Sequence, residues 1–144
     1  MRRPTSDLIE IACACANARR AARLVTQLYS HEMGEGIEPG QFALLSAIES
    51  QPGCTQASLG RGMGFDKTTL SRNMRLMMRN GWIETDADGG YRVSGAGIER
   101  LAETKPRWKR AQQKLRSAMR SGDWERMMNS FNLAATAALE ARKA

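Results

Sequence analysis

The stretch "TQASLGRGMGFDKTTLSRNMRLMMRNG", residues 55–81, contains two predicted helices with glycines between them. Thr55 and Asp66 are suitable N-cap residues, because their side-chain oxygens can accept hydrogen bonds from the first turn of a helix. Gly81 closes the second helix, since glycine readily adopts the conformation that ends one. Two helices joined by a tight, glycine-containing turn predict a helix-turn-helix.

The sequence after this motif predicts a small β-hairpin. "WIETDADGGYRV", residues 82–93, begins with apolar residues and returns as a short strand. Its turn is expected at Asp88, Gly89 and Gly90. A helix-turn-helix followed by such a hairpin is typical of a winged helix-turn-helix.

Further helices are predicted on both sides of this unit, from apolar spacing and from breaks at glycine and proline. They cover residues 7–33, 40–50, 95–120 (with a kink at Pro106) and 123–142. The expected fold is mainly α, a winged helix-turn-helix with added N- and C-terminal helices and a short hairpin wing. We expect one domain over residues 1–144, with no internal repeat.

Composition favours a nucleic-acid partner. The 144 residues carry 22 lysines and arginines against 15 acidic residues, a net charge of +7 that attracts polyanions. The hydrophobic fraction of 42% is sufficient for a core, and no stretch reaches the roughly 18 apolar residues of a membrane span. Three cysteines without framework spacing fit a reducing compartment. We therefore expect a cytoplasmic protein without a membrane segment.

The sequence offers little for catalysis or metal binding. The single histidine, His31, has no neighbouring cysteine or carboxylate at zinc spacing, and no hydrolase or phosphate-loop motif occurs. Asp86 and Asp88 lie in a glycine-rich turn, where aspartate is favoured for local hydrogen bonding. We expect no enzyme activity, no cofactor and no metal site.

Three blocks in order resemble the multiple-antibiotic-resistance regulator (MarR) family: "GIEPGQFALLSAI" (36–48), "DKTTLSRNMRLMMRNGWIE" (66–84) and "YRVSGAGIERL" (91–101). The resemblance implies a dimeric winged-helix repressor. It places dimerisation helices in residues 7–35 and 95–144 and the DNA-binding region in 38–94. The wing departs from the family's Asp-x-Arg-x-x-Arg pattern and keeps Arg92 alone.

The second helix of the motif independently suits DNA recognition. Leu70, Met74 and Met77 form an apolar stripe, and hydroxyl and arginine residues occupy the opposite side. Short donors near a helix N-terminus can reach base edges, and arginine can pair with guanine through two hydrogen bonds. A merely solvated charged face is the competing interpretation. The candidate DNA-binding residues are Thr68, Thr69, Ser71, Arg72, Arg75, Arg79 and Arg92.

The cysteines are candidate sensor thiols. On a helix, Cys13 and Cys15 would point about 200° apart, so they could not bind one metal ion together. Cys15 falls in the apolar stripe of the first helix, and the resemblance to organic-hydroperoxide sensors of the MarR family places the reactive thiol there, with Arg19 nearby. Cys54 precedes a helix N-terminus, which predicts a lowered thiol pKa and a resolving role. The alternative is that the cysteines only pack.

The predicted function is a homodimeric repressor that binds a pseudo-palindromic operator in double-stranded DNA, with a thiol switch operated by an oxidant or a soft metalloid. One alternative is induction by a small aromatic or lipophilic molecule, with inert cysteines. Another is a winged helix that contacts protein, whose binding would depend little on salt. The apolar residues expected at the dimer interface are Leu101, Trp108, Leu115, Trp124, Met127, Phe131 and Leu139.

Overall fold

The computed structural model describes residues 7–144, which form six helices and one hairpin. The elements are α1 (Ala14–Met33), α2 (Pro39–Ser50), α3 (Gln56–Met63), α4 (Lys67–Arg79), β1 (Ile83–Thr85), β2 (Tyr91–Val93), α5 (Gly95–Ser117) and α6 (Asp123–Lys143). The predicted mainly helical fold and its element order are confirmed. Helix α5 continues through Pro106. Within residues 7–144, no helix combines the length and apolarity that a bilayer crossing requires.

The predicted caps of the helix-turn-helix are present. The Thr55 hydroxyl accepts a hydrogen bond from the backbone N–H of Ser58 at 3.0 Å, and Asp66 accepts one from Thr69 at 2.9 Å. After α4, Gly81 has φ of 73° and donates to the carbonyl of Met78 at 3.0 Å. Local side-chain chemistry thus fixes where both helices of the motif begin and where α4 ends.

The wing is fastened to the loop before α3. Strands β1 and β2 pair antiparallel, with Ile83 opposite Val93. The Asp86 carboxylate accepts hydrogen bonds from the backbone N–H groups of Asp88 and Gly90, both at 2.9 Å, so it organises the turn. Tyr91 in turn donates its N–H to the carbonyl of Cys54 at 2.9 Å. The α2–α3 loop therefore extends the hairpin by one β-bridge.

One hydrophobic core joins the helix-turn-helix to the C-terminal half of α1 and to the first turns of α5. Its buried hydrophobic residues are Met33, Ile37, Phe42, Leu44, Leu45, Ile48, Cys54, Leu59, Leu70, Met74, Met77, Trp82, Ile83 and Leu101. Trp108 packs against this cluster, with its ring centroid 5.8 Å from that of Phe42. Placing Leu101 at a dimer interface was therefore wrong, because its side chain is buried in the protomer's own core. Trp108 is half-buried.

The first helix is shorter than predicted. It begins at Ala14, with Cys13 as an extended N-cap whose sulfur accepts a hydrogen bond from the N–H of Ala16 at 3.5 Å. Ahead of it, the carbonyl of Ile11 accepts a hydrogen bond from the Asn17 side chain. The carbonyl of Ile9 accepts one from Arg20. Residues 7–13 lie outside the helix, and these two carbonyls bond to side chains of the first turns.

Two helical regions remain largely uncovered in the protomer. Cys15, Ala18 and Ala22, in the first half of α1, are exposed, although the apolar spacing predicted a buried stripe. Every residue of α6 from 128 onward is also exposed. The core reaches only the C-terminal half of α1, where Tyr29 and Met33 pack.

Candidate nucleic-acid interface

Helix α4 presents a basic face opposite its buried one. Leu70, Met74 and Met77 are buried as predicted, because they fall three or four residues apart and meet the core. The opposite face consists of exposed Thr68, Arg72, Arg75 and Arg79. Within residues 7–144, none of these three arginines has an ion pair with a carboxylate. Their guanidinium groups are thus available to phosphates and base edges.

Two predicted contact residues have partners inside the protein. The Asp66 carboxylate accepts hydrogen bonds from the hydroxyl and from the backbone N–H of Thr69. These bonds lower the pKa of Asp66, and the hydroxyl has the larger effect. The hydroxyl of Ser71 accepts a hydrogen bond from Nε2 of Gln56, the first residue of α3, at 2.7 Å. Both side chains are half-buried, so they form part of the motif's framework as well as its surface.

The wing arginine is held across the hairpin. Nε of Arg92 donates to Oε1 of Glu84, its cross-strand partner, at 3.0 Å. Both side chains are at least half exposed, and exposed ion pairs of this kind contribute little stability. The guanidinium group can therefore exchange this carboxylate for a phosphate.

Three residues of this surface were not predicted from the sequence: Gln56, Arg61 and Lys67. Arg61 near the end of α3 and Lys67 at the start of α4 are exposed cations on either side of the turn. Neither has an ion pair among the described residues. Lys67 could have been found from its position directly after the Asp66 cap. Gln56 could not, because its partner Ser71 lies 15 residues away.

The thiols divide into two environments. Cys13 and Cys15 are exposed at the start of α1, and Cys54 is buried with 9% of its surface accessible. The predicted angle of about 200° between Cys13 and Cys15 assumed that both residues are helical. This was wrong, because Cys13 is the N-cap and lies outside the helix. The burial expected of Cys15 was also wrong, because the core does not extend to the first turn of α1.

The pKa of the Cys54 thiol is raised by burial. The predicted lowering was therefore wrong, because removing the sulfur from water raises the thiol pKa more than a backbone hydrogen bond lowers it. Cys54 packs in the core beside the wing, to which its backbone is joined at Tyr91. Its surroundings are those of a small hydrophobic residue.

Known proteins share this architecture. Residues 35–90 match the model of the MarR family (MarR_2). The chain is similar to the transcriptional regulator MosR of M. tuberculosis, with 28% identity, a TM-score of 0.79, and coverage of 90% of this chain and 97% of that one. A structure of MosR with DNA matches at 28% identity with a TM-score of 0.72, covering 87% and 98% of the two chains.

A more distant match is PcaV from Streptomyces coelicolor in complex with its natural ligand, at 20% identity and a TM-score of 0.78, covering 91% of this chain and 99% of that one. A comparison with curated protein sequences finds no match. The predicted resemblance is confirmed: residues 35–90 carry the MarR-family sequence pattern, and the chain has the fold of that family's winged-helix transcriptional regulators.

Proposed function

We propose that this protein is a DNA-binding transcriptional regulator that acts as a homodimer and represses its target genes. The observation that carries the proposal is the basic face of α4, on which Arg72, Arg75 and Arg79 lie exposed without carboxylate partners among the described residues. Residues 38–94 would supply the DNA-binding region. The DNA complex of MosR supports this assignment, since that regulator is 28% identical to this chain.

Dimerisation is supported by the apolar surface of α6. Met128 is 43% exposed, Phe131 48% and Leu139 55%, and their spacing of three and eight residues places them on one face of the helix. Large apolar side chains gathered on one helix typically mark a protein contact. We assign residues 7–35 and 95–144 to a two-fold interface with a second copy, in which the exposed apolar side chains of α6 would be buried and the first turn of α1 would lie at the edge.

A two-fold dimer would present two α4 helices to DNA. Thr68 and Arg72, near the N-terminus of α4, would contact base edges, and Arg75 and Arg79 would contact phosphates. Arg92 would reach the backbone from the wing. The operator is then a pseudo-palindrome with half-sites about one helical turn apart, and repression follows when the bound dimer covers promoter DNA.

Selection from random DNA tests this function and identifies the operator sequence in the same experiment. The full chain is mixed with a library of random-sequence duplexes, and bound duplexes are amplified and sequenced. We expect a pseudo-palindromic motif bound by a dimer, with an affinity that falls steeply as salt rises. Phe131→Glu, on the apolar face of α6, should weaken both the dimer and the binding. A monomeric wild-type protein that enriches no motif would contradict the proposal.

We further propose a thiol switch at Cys15, the residue favoured by the family resemblance. Its exposure in the first turn of α1 makes the sulfur accessible to a hydroperoxide or to a soft metalloid. A thiolate that attacks a hydroperoxide becomes sulfenic acid and releases the alcohol. In the dimer, the added polar group would lie at the edge of the interface and shift α1. Cys13 and Cys54 stay secondary candidates, and burial makes Cys54 the less reactive of the two.

A second candidate trigger is a small aromatic or lipophilic ligand. A cavity of about 880 Å³ opens between the end of α1, the start of α2 and the end of α4, beside Ile37, Leu76 and Trp82. Its volume is in the range of small-molecule sites. Because it touches both α1 and α4, an occupant could change their separation. Release of DNA by such a molecule from a chain whose cysteines are all serine would favour this trigger over the thiol switch.

A further inference from the structure

The two helices of the helix-turn-helix are joined by a side-chain hydrogen bond. Nε2 of Gln56 donates to Oγ of Ser71 at 2.7 Å. Gln56 is the first residue of α3, and Ser71 lies in the second turn of α4, on the stretch proposed to enter the major groove. Both residues line one cavity of about 350 Å³ with Arg75 and with Tyr91 of the wing. The bond therefore lies where α3, α4 and the wing meet.

The first turn of α3 holds Gln56 in place. The hydroxyl of Thr55 accepts a hydrogen bond from the N–H of Ser58 at 3.0 Å, and the hydroxyl of Ser58 accepts one from the N–H of Thr55 at 3.0 Å. Immediately before it, Cys54 pairs with Tyr91 of the wing. The Gln56 amide thus projects from a backbone fixed on both sides.

A serine hydroxyl has one proton to donate and two lone pairs that accept. The amide N–H of Gln56 occupies one lone pair of Ser71, so the hydroxyl proton stays available for another acceptor. Acceptors in the major groove are purine N7, guanine O6 and thymine O4. We propose that Gln56 is a positioning residue that sets Ser71 as a hydrogen-bond donor toward DNA and fixes how α4 is rotated in the groove.

This inference rests on the proposed DNA-binding function and goes beyond it, since Gln56 itself need not touch DNA. It predicts that the two side chains act as one unit in sequence discrimination. A direct Ser71 contact without help from Gln56 predicts independent effects instead.

The test is a double-mutant cycle with Gln56→Met, Ser71→Ala and both changes together. Methionine keeps the length of the glutamine side chain and cannot donate the hydrogen bond. The probes are the duplex enriched by the wild-type chain and a random-sequence duplex, each measured across a salt series. Ser71→Thr retains the hydroxyl and tests rescue.

We expect each single change to lower the ratio of selected-duplex to random-duplex affinity by about three- to tenfold, the effect of one neutral hydrogen bond. The double variant should lose no more than either single variant. The salt slope should stay unchanged, because no phosphate contact is lost. Ser71→Thr should behave as wild type. A merely structural role would instead lower the melting temperature and weaken both duplexes equally.

Three results would overturn the inference: an unchanged ratio for Gln56→Met, independent and additive losses, or equal weakening of both duplexes. If the wild-type chain enriches no duplex at all, the proposed function fails and the inference fails with it. Enrichment by wild type with a normal ratio for Gln56→Met overturns the inference alone. If Gln56→Met does not fold, Gln56→Asn, whose amide is one methylene too short to reach Ser71, serves in its place.

Discussion

Gly97 in the first turn of α5 lies directly against the carbonyl of Trp82, which precedes the wing. A Cβ at Gly97 would be 2.1 Å from the Trp82 oxygen and 2.6 Å from Cγ1 of Val93. The same Trp82 oxygen accepts a hydrogen bond from the N–H of Ser94 at 2.9 Å. The absence of a side chain at Gly97 thus lets α5 start at the base of the wing.

Gly97→Ala should therefore destabilise the protein by about 1–3 kcal/mol, because a rigid backbone carbonyl cannot move away from the added methyl group. Gly95→Ala is the matched control in the same helix, since a Cβ there meets no atom within 4 Å. Denaturant unfolding of both variants measures the difference. Equal stability of the two would show that the contact of α5 with Trp82 is looser than described.

The thiols should react at two different rates. Exposed Cys13 and Cys15 should be labelled rapidly by a maleimide at neutral pH, and Cys54 slowly, because burial raises its pKa and covers its sulfur. Cys54→Ser should remove only the slow phase. Mass spectrometry follows the number of labelled thiols over time. Loss of a fast phase in Cys54→Ser would contradict the buried environment assigned to Cys54.

The Asp66 carboxylate should make the free energy of unfolding depend on pH under acidic conditions. Its pKa is lowered by the Thr69 hydroxyl and backbone N–H, so its contribution is full above the ordinary carboxyl pKa of about 4. The contribution is lost as pH falls through the lowered folded value. The difference in melting temperature between wild type and Asp66→Asn should be constant near neutral pH and shrink in acid.

Asp88→Asn removes an exposed carboxylate from the wing turn and controls for the change in net charge. Its melting temperature should follow that of wild type across the pH range. A difference for Asp66→Asn that grows in acid would contradict the role given to the Asp66 carboxylate.

The sequence predicts what depends on neighbouring residues and fails where distant ones decide. Caps at Thr55 and Asp66 and the buried stripe from Leu70 to Met77 follow from spacings of three or four residues, so these predictions are confirmed. The surroundings of Cys54 depend on its contact with Tyr91 in the wing. No local pattern encodes that contact, and the sign of the predicted pKa shift was therefore wrong.

Two other differences have the same origin. Leu101 has the spacing of an interface residue, but its side chain is buried in the protomer's core. Residues before Ala14 have an apolar pattern that continues the helix, but Cys13 caps α1 with its own sulfur. Periodicity locates an apolar face without stating which partner covers it or at which residue a helix begins.

The thiol switch predicts a defined pattern of DNA release. Wild type should release the selected duplex after treatment with an organic hydroperoxide or arsenite, and Cys15→Ser should retain it. Cys13→Ser should respond as wild type does. An electrophoretic mobility-shift assay with and without treatment gives the answer. If wild type keeps its DNA under both treatments, or Cys15→Ser releases it equally, the thiols return to the roles of cap and packing.

The central claim is that the exposed face of α4 reads DNA sequence, and the affinity ratio of Arg72→Ala tests it most directly. Loss of a bidentate base contact should lower the ratio of selected-duplex to random-duplex binding, at a cost of about 1–3 kcal/mol in discrimination. Arg75→Ala, on the same face, should instead weaken both duplexes evenly and reduce the salt slope by about one unit. An unchanged ratio for Arg72→Ala would contradict the account.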